Sequence, residues 1–140
     1  MNLTIDHVRL AVRAKVFGRS MSFLVDTGSF ESVITRNFVP HHLMVPCEVR
    51  TIDYVNSAVT IIGSARIPIV LEDSQSSVEI IHDFFVLEKV PNKRDDLLAM
   101  DFLMPYQCVL DLGHEFNMTL NRTPISYPTE YYFMRPWLNL

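Results

Sequence analysis

Residues 7–16 alternate along the chain, with Val8, Leu10, Val12, Ala14 and Val16 on one side and Arg9, Ala11, Arg13 and Lys15 on the other. A period of two predicts a half-buried strand. Phe17, Gly18, Arg19 and Ser20 predict a turn, and residues 21–26 a returning strand, so the first 26 residues read as a hairpin. Residues 32–34 predict a further short strand. Thr35 is placed to cap a helical turn through Asn37 and Phe38, which Pro40 interrupts or restarts.

Residues 48–56 and 59–71 predict a second hairpin with its turn at Asn56, Ser57 and Ala58. Gly63, inside the second arm, predicts a bulge or a close backbone approach. After a polar turn over 72–77, residues 78–87 predict a strand too apolar to face water on both sides. Residues 91–96 predict a charged, solvated loop, and residues 97–100 a short apolar strand. Residues 101–105 fit one helical turn capped by Asp101. Residues 108–112 and 115–120 predict a last hairpin around Gly113 and His114. The pattern is all-β with one short helix.

The composition adds bounds to this picture. The chain has 140 residues, 49% hydrophobic and 20% charged, which suits one folded domain with a core. We assign residues 1–120 to it. Residues 121–140 are rich in proline and aromatics, including Tyr127, Tyr131, Tyr132, Phe133 and Trp137. They are expected to lie along the domain or a partner. The net charge of −4 and the scattered Arg9, Arg13, Lys15 and Arg19 argue against a general nucleic-acid binder. No apolar run reaches the roughly 18 residues of a membrane span, and no basic stretch leads into an apolar one at the start of the sequence. Cys47 and Cys108 are expected to be reduced, buried thiols, which points to an intracellular, cytoplasmic or nuclear, setting. The expectation is no metal and no cofactor.

The chemistry concentrates at Phe23-Leu24-Val25-Asp26-Thr27-Gly28-Ser29, an apolar run ending in one carboxylate, a small hydroxyl residue and a glycine. A carboxylate at the tip of a buried strand is costly unless hydrogen-bonded, paired or catalytic. About seventy residues later come Leu97-Leu98-Ala99-Met100-Asp101-Phe102-Leu103 and Gln107-Cys108-Val109-Leu110-Asp111-Leu112.

In this order, the segments resemble the retropepsin-like aspartic proteases, a family that includes retroviral and retrotransposon proteases and the cellular DNA-damage-inducible branch. The resemblance spans about residues 7–120. It implies a closed β-barrel-type half of an acid protease, active as a two-fold homodimer on a peptide or protein substrate. Asp26 is then the catalytic carboxylate. Thr27 bonds across the axis, Gly28 allows close approach, and Ser29 bonds the outer carboxylate oxygen or the substrate backbone. Asp53, Tyr54, Val55, Asn56, Ser57 and Ala58 form the tip of a flap that closes over an extended peptide. Such a site needs two aspartates, and Asp111-Leu112-Gly113 reads as a turn rather than a second half. The second Asp26 is therefore expected from a second copy of the chain.

Two positions depart from the family pattern. Ala99 stands where a glycine is usual, and no glycine occurs between Pro46 and Ile62, around the flap. They leave a second reading open: a module kept for dimerisation and partner binding. A third has residues 121–140 folding over the cleft. His41 and His42 read as surface loop, Glu72-Asp73 and Asp95-Asp96 as solvated pairs, and Cys108 as a core thiol.

Overall fold

The alternating segment forms one strand, and a further short strand that the pattern did not predict precedes it. The computed structural model describes residues 3–6, 9–54, 57–72, 77–88, 96–113 and 117–120. In it β1 (Leu3–Asp6) runs antiparallel to β2 (Arg9–Val16). The strand expected over 7–16 is described from Arg9 onward, and His7 and Val8 lie outside the described residues. β2 turns tightly into β3 (Arg19–Val25), with Val16 opposite Arg19. The two linking residues, Phe17 and Gly18, have φ of 50° and 79°. That handedness suits the twist of a two-residue hairpin. Gly18 adopts it freely, whereas Phe17 carries a Cβ there.

β4 (Val33–Thr35) leads into two 3-10 turns, Arg36–Phe38 and His41–Leu43, with Pro40 between them. Thr35 does not cap the first turn with its side chain. Its hydroxyl is taken by Asp96, described below.

β5 (Val45–Tyr54) and β6 (Ser57–Glu72) form the long hairpin. Tyr54 pairs with Ser57 and Asp53 with Ala58, so Ser57 and Ala58 belong to the ladder and not to the turn. Asn56, the other residue expected in the turn, lies with Val55 outside the described residues. The register shifts between Pro46 and Arg50 on β5, and again at Ile61–Gly63 where β6 meets β7 (Ser77–Leu87). Gly63 sits at this irregularity. A Cβ there would lie 2.7 Å from the Val45 carbonyl oxygen and 3.0 Å from Met44 Cγ. The close approach expected at Gly63 is present.

β8 (Asp96–Leu98) runs parallel to β3, and α1 (Met100–Leu103) follows. The strand expected over 97–100 is therefore one residue earlier and shorter. β9 (Cys108–Asp111) and β10 (Asn117–Leu120) pair as a separate two-stranded sheet, the expected closing hairpin. The 121–140 segment lies outside the described residues.

Pairing runs β2-β3-β8-β4-β7-β6 and returns to β2, a closed barrel of six strands with β1 and β5 outside the ring. The return seam is short: Ala14 pairs with Leu71 and Lys15 with Val70. Val12, Ala14, Val16, Phe23, Ile67, Ile69, Leu71, Ile80, Phe84 and Val86 fill the interior with Phe102 of α1. Each fully buried large apolar side chain contributes about 1.5–3 kcal/mol. Phe23 and Phe84 stack at 5.6 Å. A second cluster, Ala11, Leu24, Val33, Ile61, Leu87 and Leu97, packs apart from the first. Ala11 and Leu24 are cross-strand partners, so this part of the first hairpin is buried on both faces. That explains why Ala11 interrupts the polar side of β2. Among the described residues no helix is long and apolar enough to cross a membrane.

Candidate active site

β3 delivers Asp26 to a loop at the end of a buried strand. The first carboxylate oxygen, Oδ1, accepts the Gly28 amide at 2.8 Å. Oδ2 accepts the Ser29 hydroxyl at 2.9 Å. A Cβ at Gly28 would sit 3.2 Å from Oδ1, tighter than ordinary contact, so glycine lets the amide close on the carboxylate. Asp26 and Ser29 are half-buried, while Thr27 and Gly28 face solvent.

The segment 98–101 fastens this loop from behind. The Asp26 amide donates to the Leu98 carbonyl at 3.0 Å, Met100 to Ser29 at 3.0 Å, and Asp101 to Phe30 at 2.8 Å. Ala99 lies between these contacts, fully buried, with φ −110° and ψ −167°. This is extended backbone open to any residue, so no left-handed conformation calls for glycine there. The Ala99 amide donates to Ser32 Oγ at 2.9 Å.

Ser32 is engaged further. Its amide donates to Asp101 Oδ2 at 3.0 Å and its hydroxyl to Asp101 Oδ1 at 2.5 Å. Asp101 was expected to cap the short helix. The helix instead starts at Met100 with Ala99 in the cap position and no side-chain cap bond. The carboxylate of Asp101 reaches across to β4's approach, 69 residues earlier in sequence. His82 Nε2 lies 3.4 Å from the same Oδ1.

Asp96 also departs from expectation. It is the first residue of β8 and 4% exposed, not part of a solvated loop. Its Oδ1 accepts both the amide and the hydroxyl of Thr35, each at 2.6 Å. A buried carboxylate is tolerable when its oxygens are hydrogen-bonded. The bonds join the start of β8 to the end of β4, two strands that flank the Asp26 loop. Asp95, Asp73 and the flap residues Val55 and Asn56 lie outside the described residues.

Ser32, His82, Asp96 and Asp101 thus support the site; the sequence reading gave Asp96 and Asp101 other roles and singled out neither Ser32 nor His82. Their partners are more than sixty residues apart for the Asp96 and Asp101 bonds, beyond any local pattern. His82 did leave a signal: Ile80, His82, Phe84 and Val86 alternate inward on β7.

The remaining candidates fall away from this centre. His41 and His42 are exposed in a 3-10 turn. Cys47 is exposed rather than buried, because β5 lies outside the ring; Cys108 is half-buried, and burial pushes its thiol up to about 12. Both are free. Asp111 makes its own small turn, accepting the Gly113 amide at 3.0 Å. Among the described residues, no group of three or more His, Cys, Asp or Glu side chains could hold a metal ion.

No protein-family model and no curated protein matches the sequence. Among solved structures, the retroviral protease-like domain of Ddi1 from Leishmania major is similar, with a TM-score of 0.62 and 17% sequence identity. The match covers 87% of this chain and 95% of that one. The likeness, with the six-stranded barrel and the short helix among the described residues, establishes a retropepsin-like fold.

Proposed function

We propose that the chain is half of an aspartic endopeptidase, completed by a second copy of itself. The observation that carries this reading is the setting of Asp26. One carboxylate at the end of a barrel strand has each oxygen held by its own loop, through the Gly28 amide and the Ser29 hydroxyl. A two-fold axis beside the loop brings the second Asp26. Two carboxylates about 3 Å apart cannot both ionise, so they share one proton and titrate as a pair. One takes a proton from water as it attacks the scissile carbonyl, the other gives its proton to the carbonyl oxygen, and the roles then reverse. No covalent intermediate forms.

The other residues take roles around that chemistry. Thr27, solvent-facing in the single chain, bonds its counterpart across the axis. Gly28 and Ser29 orient the carboxylate, and Ala99 packs behind it. The β5–β6 hairpin, with Asp53, Tyr54, Val55, Asn56, Ser57 and Ala58 at its tip, closes over an extended peptide and excludes water. The substrate, a segment of a polyprotein or cellular protein, binds as a strand with alternate side chains in pockets. The proposed setting is intracellular, cytoplasmic or nuclear.

The test is cleavage of an unstructured peptide library at mildly acidic pH, with sedimentation to measure the oligomeric state. Dimeric wild type that cuts, beside an Asp26→Asn variant that dimerises and does not, supports the reading. Equal cleavage by both removes Asp26 from the chemistry. A second reading draws on the glycine-free stretch from Pro46 to Ile62, which leaves the flap with few mobile positions: a dimerisation and partner-binding module. A dimer without cleavage in either form favours it.

A further inference from the structure

His82 has no part in the chemistry just proposed, yet it is placed where an apolar residue would be ordinary. It is 1% exposed, on the inward face of β7. Phe84 and Phe102 meet its ring edge-on at 5.0 and 5.3 Å. Burying a polar ring among aromatics is costly unless its nitrogens find partners. Nε2 finds Asp101 Oδ1 at 3.4 Å.

Asp101 is the junction. Its two oxygens take the amide and hydroxyl of Ser32, and Ser32 Oγ in turn accepts the Ala99 amide. The amides of Met100 and Asp101 hold the Ser29 and Phe30 carbonyls. A continuous polar path therefore runs from β7 through α1 to the back of the Asp26 loop. The order of groups is not that of an activated serine. Ser32 gives its proton to the carboxylate rather than to the imidazole, and Asp101 stands between the other two.

We infer that His82 is a positioning residue for the candidate active site. It braces Asp101, Asp101 braces Ser32, and together they fix the 98–101 segment that holds the Asp26 loop. His82 touches neither substrate nor the reacting carboxylate. The kinetic part of this inference rests on the proposed protease reading; the structural part does not.

The test separates the two. His82→Phe keeps a ring among aromatics and removes the nitrogens, His82→Gln returns a donor, and Ile80→Val is a control that loosens the same strand through the core. Amide hydrogen exchange is followed at Ala99, Met100 and Asp101, with the β6–β7 ladder as reference, alongside kcat and KM. In His82→Phe the three amides exchange about tenfold faster than the reference shift accounts for, the factor expected from weakening one charge-assisted contact. Turnover falls by a similar factor with KM within twofold, and His82→Gln recovers both. The inference is overturned if the three amides stay as in wild type, or quicken only in step with the ladder as in Ile80→Val. A wild type that cleaves nothing defeats the protease reading, while the exchange measurement still decides the role of His82. If His82→Phe does not fold, Asp101→Asn reads the link from its other end. A moved ring resonance of His82 with faster exchange at Ala99 supports it, and an unmoved resonance refutes it.

Discussion

Two Asp-X-Gly segments in this chain make the same small turn. In Asp26-Thr27-Gly28 the glycine amide donates to the aspartate Oδ1 at 2.8 Å, and in Asp111-Leu112-Gly113 at 3.0 Å. The three residues therefore specify a local hydrogen bond and nothing more. What differs is the surroundings. Asp26 leaves a strand of the closed barrel, its second oxygen takes Ser29, and its loop is held by backbone bonds from Asp26, Met100 and Asp101. Asp111 ends a strand of the separate two-stranded sheet, where its ladder partner is Asn117. A motif becomes a candidate site when distant chain fixes it from behind.

The sharpest way to break this contrast is to neutralise each aspartate in turn. Asp26→Asn is expected to lower peptide cleavage by about 10³-fold, within the range ascribed to acid–base catalysis. Asp111→Asn is expected to leave cleavage within about twofold. Equal losses from both would end the distinction.

Stability should separate the regions next. Asp101→Ala strips two hydrogen bonds from Ser32. We expect a loss of about 2–3 kcal/mol, measured by urea unfolding, because bonds to a carboxylate are the stronger kind. Asp111→Ala, at an exposed turn, is expected to cost about 1 kcal/mol or less.

Alkaline pH acts on the closing hairpin through Cys108. Burial holds the Cys108 thiol protonated up to about 12, against an ordinary 9.0. Above pH 9 the unfolded chain releases this proton while the folded chain keeps it. Stability conferred by the protonated thiol is therefore full below 9 and declines from 9 toward 12, by at most about 1.4 kcal/mol per pH unit. Cys108→Ala should flatten that decline in unfolding midpoints measured between pH 8 and 10.5. An unchanged slope would mean that the thiol titrates alike in both states.

The smallest effect is expected at Ala99. Its extended backbone needs no glycine, and its methyl is buried. Ala99→Gly should cost about 1 kcal/mol through the lost methyl and added chain freedom, with cleavage unchanged within about twofold. A large gain in cleavage would show instead that the methyl restrains the Asp26 loop.

Much of the barrel was legible because its strands keep local patterns. The alternation of β2, the turn at Phe17 and Gly18, and the irregularity at Gly63 all arise within a few residues of their cause. The support of the site was not legible, for the opposite reason. Asp96 and Asp101 border the apolar 97–100 segment, and next to it they read as loop and helix cap. Only the fold shows that Thr35 and Ser32 meet them on the neighbouring strand β4 and just before it. Cys47 misled for another cause: a free cysteine is usually buried, but β5 lies outside the ring and leaves it exposed. His82 stood in plain alternation with Ile80 and Phe84, and a polar residue on an inward face is a signal that a period-two reading can use.

The seam described above, where Ala14 and Lys15 meet Leu71 and Val70, bears on how the molecule is made. Synthesis delivers Asp26 before β8, so its strand finds that partner only when residues 96–98 exist, and its loop is fastened only by residues 98–101. Contacts between such distant positions form late, since loop closure must come first. The carboxylate therefore leaves the ribosome well before the structure that orients it. A nascent chain stopped short of residue 101 carries the carboxylate without its setting, so on the proposed reading assembly itself times the onset of activity.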